Sequence, residues 1–226
     1  MLTTNNVMKL KTFVDLEKLS HKNSFKDDVF SLLGESLKEW IDHLLRQFQV
    51  LENPKIFSSS ISPRAEISGR VYIEEGCIIE PFSYIKGPCF IGKGTEVRQG
   101  AYIRGNCYIG ENCVVGHTTE VKDSVFFDGA KAGHFAYVGN SILGRDVNLG
   151  AGTKLANLKL NQKIISYKDP LTDEILSSGL KKFGSIIGDY SQTGCNSVLS
   201  PGSLLLPNSF ILPCTHFRGT LKGQTL

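Results

Sequence analysis

His134 has the type and setting for acid–base chemistry, in the run Lys131-Ala132-Gly133-His134. An imidazole titrates near neutrality and can take a proton from an attacking amine or hydroxyl. A lone histidine is more often structural. Gly133 before it would let a substrate approach the backbone, a hydrophobic repeat falters there, and alternation of strand faces points the ring outward. Arg104 and Lys122 are three periods of that repeat apart, each directly after one of its residues, Ile103 and Val121. They are expected to stack on one outer face, where two close cations suit a phosphate or carboxylate. A solvated surface pair fits the same spacing, and spacing alone does not choose between them. His134 comes two periods beyond Lys122, so a perfect prism puts it on another face. One shared site would need either a local irregularity near Phe127 or an adjacent subunit. Cys195 and Cys214 have no base at nucleophile spacing and read as packing or cleft-lining residues. The five histidines, His21, His43, His117, His134 and His216, lack paired spacing, so no metal site is expected.

The elements that must position these groups announce themselves by period. From Ile61, a β-branched aliphatic recurs at every sixth position through Ile67, Ile73, Ile79, Ile85, Ile91, Val97, Ile103, Ile109, Val115 and Val121. Four positions after each comes a small or medium residue, including Cys77, Cys89, Cys107 and Cys113, which makes those four thiols packing residues. A period of six is too short for a helix and suits a short strand and tight turn that stack on their neighbours. The pattern resembles the hexapeptide-repeat, left-handed parallel β-helix. In that fold three rungs close one triangular coil, the aliphatic residue fills the interior, and trimers with sites in the clefts between prisms are usual.

Counting on by six puts Phe127, Gly133 and Gly139 at ladder positions, before the ladder returns displaced at Leu143, Leu149 and Leu155. The interior is therefore expected to be reshaped around His134. Residues 158–185 drop the repeat and carry the Asp169-Pro170 breaker, so a protruding loop that reaches a neighbouring subunit is expected. The ladder resumes at Ile187, Thr193, Leu199, Leu205 and Ile211. Upstream, Ser24 with Asp27 and the apolar residues Phe25, Val29, Phe30, Leu32 and Leu33 suggest a helix that ends at Gly34. A second, from about Glu35 to Phe48, carries an apolar stripe of Leu37, Trp40, Ile41, Leu44, Leu45 and Phe48. The expected organisation is a helical cap or linker over 1–55, covering the first turn, then an all-β left-handed β-helix over 56–226 with 158–185 inserted.

A net charge of +3 from 25 basic and 22 acidic residues gives no reason to expect nucleic acid. No apolar run approaches the roughly 20 residues that span a bilayer, and no leader pattern is seen, so a cytoplasmic protein is expected. The six cysteines show no CxxC spacing and read as reduced.

The stretch EVKDSVFFDGAKAGHFAYVGNSILGRDVNLGAGTKLAN, Glu120 to Asn157, closely resembles the acetyltransferase half of the bifunctional enzyme that makes UDP-N-acetylglucosamine. KAGH, the tyrosine three positions later and NLGAGT before an asparagine carry the likeness, which extends from about residue 57 onward. KKFGSIIGDYSQTGCNS, with Ala-Asn-Leu at 156–158 where bacterial members have an Asn-Tyr pair, is similar to archaeal-type members. The resemblance implies acetyl transfer from acetyl-CoA to the amino group of glucosamine 1-phosphate. His134 would be the general base and the Ala151 N–H the oxyanion donor. Arg104 and Lys122 would bind phosphate, and Glu120, Tyr137, Asn148 and Asn157 the sugar. Ala151 and Cys195 would contact acetyl-CoA, laid against coils 194–218 of a neighbouring prism. The pyrophosphorylase half and the bacterial arginine-bearing tail are absent from this sequence, which makes a separate nucleotidyltransferase a candidate partner. Two other readings keep the fold: acyl transfer to a nucleotide-linked sugar, and a non-catalytic trimeric scaffold.

Overall fold

A computed structural model describes residues 8–20, 29, 33 and 35–226. The helix expected over residues 24–33 lies outside the described residues apart from Val29 and Leu33. From Lys55 the chain winds as a left-handed parallel β-helix with three walls of nine, eight and eight short strands. Successive strands of one wall belong to successive coils and pair in parallel.

In the lower coils one turn of the prism takes three full periods of the repeat, as Ile61 facing Ile79, Ile67 facing Ile85 and Val71 facing Cys89 show. The interior is a column of buried aliphatics that contains Ile73, Ile79, Ile85, Ile91, Val97, Ile103, Ile109, Val115 and Val121. Each such side chain, fully buried, contributes roughly 1.5–3 kcal/mol.

Past Val121 the structure differs from counting by six. The next interior residues are Phe126, Ala132, Val138, Leu143, Leu149 and Leu155, not Phe127, Gly133 and Gly139. One residue is dropped at the corner near Asp123 and another near Asn140, so Cys107 faces Ser124 and Val125 faces Ile142, each partner one position short of three full periods. The wall continues through His134 without a gap. Strand faces alternate, so a coil that loses one residue must lose it at a corner or turn its apolar side chains outward. Val125 and Phe127 point out of the prism accordingly, into a second apolar cluster.

That second cluster coats the first wall from outside. Tyr72, Phe90 and Tyr108 stack in a row at 5.1 Å between ring centres, and Val125, Ile142, Ile186 and Leu204 continue the same face. The helix Glu35–Gln47 lays Leu37, Trp40, Ile41, Leu44 and Leu45 on it, with Trp40 5.2 Å from Tyr108 and Phe48 4.5 Å from Tyr72. An Arg70–Asp42 ion pair closes its edge. The helix therefore lies along the side of the prism and not over the first turn, because the outward aromatic row is the apolar surface that matches its stripe. Further along, Asp189 accepts from Asp15 N–H at 2.8 Å and Asp128 from Ser20 N–H at 2.9 Å, tying the N-terminal segment down.

Residues 158–185 also fold back on their own chain. Ser166–Lys168 and Ile175–Ser177 form an antiparallel hairpin, and Ile165, Tyr167 and Phe183 bury in the outer cluster. These three residues have their apolar partner on the first wall of the same chain. Leu160 and Leu171 stay exposed. With helix and hairpin in place the first wall is covered, and the second and third walls remain open. Among the described residues no helix is long and apolar enough to cross a membrane.

Cys77, Cys89, Cys107 and Cys113 are buried, whereas Cys195 and Cys214 are exposed. Burial pushes the Cys107 thiol up to about 12 and raises those of Cys77, Cys89 and Cys113. The thiolate is the nucleophile. Iodoacetamide at pH 8, read by intact mass, is expected to label Cys195 and Cys214 and spare the other four until denaturant is added. Labelling of four or more thiols in the folded protein would contradict this packing.

Candidate functional site

His134 ends the strand Lys131–His134 on the second wall and faces His117 on the coil below. Its side chain is exposed and makes no hydrogen bond or ion pair with any described residue. The His117 ring is held by Gln99 O at 2.9 Å from Nδ1. Carried upward, the same register puts Ala151 on His134 and Cys195 on Ala151. Backbone bonds mark the climb: Gly152 N–H donates to His134 O at 3.0 Å, and Asn196 N–H to Ala151 O at 2.8 Å. His134, Ala151 and Cys195 thus form one column at the corner between the second and third walls. Among the described residues nothing accepts from the Ala151 N–H, although Gly150 N–H, its neighbour, donates to Thr193 O at 2.8 Å. Asn148 begins the strand that leads into this corner, and its side chain is exposed.

Two glycines on this wall have different reasons. A Cβ on Gly116 would run into the Gly133 carbonyl, so coil stacking itself requires glycine at 116. A Cβ on Gly133 would meet nothing within 4 Å, and its φ is not in the left-handed region. What glycine provides at 133 is open space beside the imidazole. Phe135, which the sequence reading does not single out, follows His134 and lays its ring against Gly152 on the coil above. It has a φ of +34°, is 50% exposed, and would be 2.8 Å from a Cβ on Gly152. Its signal in the sequence is an aromatic at a corner position, next to the histidine.

The remaining candidates share the third wall. Register sets Lys122 directly above Arg104, since Val121 faces Ile103. Arg104 Nη1 donates to Glu120 Oε1 at 2.6 Å, and its guanidinium lies over the Tyr102 ring at 5.7 Å. Lys122 Nζ is 3.3 Å from Asp123 Oδ2. One coil higher, Lys122 faces Gly139, and Glu120 faces Tyr137. A Cβ on Gly139 would lie 2.7 Å from both the Tyr137 hydroxyl and Asn157 Nδ2, so this glycine leaves room for two polar groups to gather over Lys122. Asn157 Nδ2 donates to Asn140 Oδ1 at 2.7 Å.

Within one chain the candidates therefore fall into two groups: Asn148, His134, Ala151 and Cys195 on the second wall and its corner, and Arg104, Glu120, Lys122, Tyr137 and Asn157 on the third. The irregularity near Phe127 does not bring them together, because the dropped residue preserves the order of the walls. Outer faces of two walls of a prism diverge.

Among curated proteins, the bifunctional protein GlmU of Methanococcus maripaludis is 44% identical over 156 residues, 68% of this chain and 37% of that protein. A bifunctional sugar-1-phosphate nucleotidylyltransferase/acetyltransferase of Sulfurisphaera tokodaii is 39% identical over 143 residues, 63% of this chain and 35% of the relative. The chain thus spans little more than a third of the length of these two relatives. A solved hexapeptide transferase family protein from Anaplasma phagocytophilum superposes with a TM-score of 0.42 at 14% identity over 74% of each chain. Residues 85–214, more than half of the sequence, match one family, and the chain belongs to it: the GMPPB C-terminal domain family.

Proposed function

We propose that the protein transfers an acetyl group from acetyl-CoA to the amino group of an amino-sugar phosphate, with glucosamine 1-phosphate as acceptor. The observation that carries this reading is the corner column, in which an exposed imidazole lies one coil below a backbone N–H that has no acceptor among the described residues. In the reaction the amine nitrogen attacks the thioester carbon and His134 takes the proton it sheds. The carbonyl oxygen becomes an oxyanion that accepts from Ala151 N–H, a contribution of roughly 3 kcal/mol to barrier lowering. Collapse breaks the C–S bond, and the departing thiolate takes the proton back from the imidazolium. The Sulfurisphaera relative, a bifunctional sugar-1-phosphate nucleotidylyltransferase/acetyltransferase, supports the acetyl-transfer part of this reading.

Acceptor phosphate is assigned to Arg104 and Lys122, and the sugar to Glu120, Tyr137, Asn148 and Asn157. Since the two groups of residues lie on diverging walls, one substrate touching both needs two prisms, the third wall of one against the second wall of the next. Such a contact is heterologous, and three copies close it into a ring, which is the homotrimer proposed here. The covered first wall then faces outward. Acetyl-CoA lies in the same cleft against Ala151, Cys195 and the coils above, and the product suits a separate nucleotidyltransferase.

With acetyl-CoA and glucosamine 1-phosphate, free thiol release is expected, and His134→Ala should lower kcat at least about 100-fold while the trimer persists on size exclusion with light scattering. No thiol release across a panel of amino-sugar phosphates would leave the scaffold reading. Arg104→Ala is expected to raise KM for the phosphorylated acceptor about tenfold or more with a smaller change in kcat, and an unchanged KM would remove the phosphate assignment. Gly133→Ala should fold normally yet lose activity by filling the space beside His134. Gly116→Ala should instead cost more than about 2 kcal/mol of stability in denaturant titration. Equal stability of the two variants would contradict the stacking described.

A further inference from the structure

The column that holds Arg104 and Lys122 does not start at Arg104. Ser68 faces Lys86 and Ile85 faces Ile103, so Lys86 lies directly below Arg104 on the outer face of the third wall. Three cations therefore occupy three consecutive coils, Lys86, Arg104 and Lys122, over two coil steps, about 10 Å. Their partners differ. Glu120 holds Arg104 and Asp123 holds Lys122, whereas Lys86 is exposed and has no ion pair or side-chain hydrogen bond among the described residues. On the same face, two residues before Lys86 and Arg104, the Tyr84 and Tyr102 rings stack parallel at 5.3 Å, and Ser68 Oγ is hydrogen-bonded to the Tyr84 hydroxyl at 3.2 Å. That row leaves no carboxylate between Lys86 and Arg104.

One phosphoryl group fits between two cations one coil apart. A third cation a coil further is beyond its reach, yet within reach of a second phosphoryl group joined through one bridging oxygen. Arg104 can serve both, because a guanidinium has five N–H donors and Glu120 takes only one of them here. We infer that the anion site on the third wall takes a diphosphate ester, with Lys122 and Arg104 on the phosphate nearest the sugar and Lys86 with Arg104 on the next. The ligand class this admits, beside the sugar 1-phosphate acceptor, is a sugar linked to a nucleoside diphosphate. A coenzyme diphosphate shares the chemistry. It is assigned elsewhere because Cys195 and the coils above it lie at the opposite end of the prism from Lys86. The inference rests on the reading of Arg104 and Lys122 as an anion site.

Calorimetric titration of the full chain with inorganic phosphate, inorganic pyrophosphate, uridine diphosphate and CoA tests it. Pyrophosphate and uridine diphosphate are expected to bind about tenfold more tightly than phosphate. Lys86→Ala should abolish that preference while sparing phosphate and CoA, and Lys86→Arg should restore it. A preference unchanged in Lys86→Ala, or a loss of CoA affinity in its place, would overturn the inference. If Arg104→Ala weakens both phosphate and pyrophosphate while Lys86→Ala weakens neither, only the extension to a second phosphate fails. If Arg104→Ala weakens neither, the anion site itself fails, and the inference with it.

Discussion

Backbone hydrogen bonding between successive coils is the constraint on which this structure depends. Every strand of the prism is very short and would be worthless alone, so its N–H and C=O groups are satisfied only by the coils above and below. That pairing fixes which residues stand in a column. The interior aliphatics fix its phase, because a slip of one residue would expose them all. Departures from the period of six are therefore confined to corners. The corner between the third and first walls absorbs both dropped residues and the 158–185 insertion. It is turned by Asn106, Asp123 and Asn140 in left-handed conformation, with φ between +47° and +48°, which Asn and Asp tolerate better than most residues.

The corner that carries His134 is the one between the second and third walls, and the insertion and the shortened rungs leave it intact. This explains how His134, Ala151 and Cys195 stand in one line although the chain makes a long excursion between the last two. Length can vary at one corner while register is kept at another. The excursion itself has a second use: with the helix it hides the outward apolar face of the first wall, a continuous strip from Tyr72 to Leu204 that would otherwise invite association.

Much of this is legible in the residues. The ladder from Ile61 to Val121 can be read because its period is unbroken there, and the four packed cysteines follow from it. Beyond Val121 counting fails where alternation succeeds: Ala132 and Val138 are the apolar neighbours of Gly133 and Gly139, and one missing corner residue puts them in phase. The stripe of the helix is plain in the sequence, and its docking face is less so. The signal is Tyr72, Phe90 and Tyr108, each directly before a ladder residue and one coil apart, an outward aromatic row that needs a cover. In the insertion the alternation of Ile165 and Tyr167 marks a strand inside a segment whose average is polar. The stacking of Arg104 on Lys122 is readable from spacing. The alignment of Ala151 with His134 is not, since it depends on the shortened coil.

Charge on the third wall is finely balanced, and this bears on how it would select a ligand. Against Lys86, Arg104 and Lys122 stand Glu120 and Asp123, so the patch carries about one net positive charge. Bulk attraction of anions is therefore weak, in keeping with a chain of net charge +3, and is screened within about 8 Å at physiological salt. Selectivity must come from directed donors. The Arg104–Glu120 pair is partly exposed and contributes little to stability, at most about 1 kcal/mol. What it does is aim the guanidinium, leaving the other N–H groups free for a phosphate lying along the column. A planar fork held by a carboxylate on one side and stacked over Tyr102 on another has few orientations left, and a ligand that fits it meets a site already set.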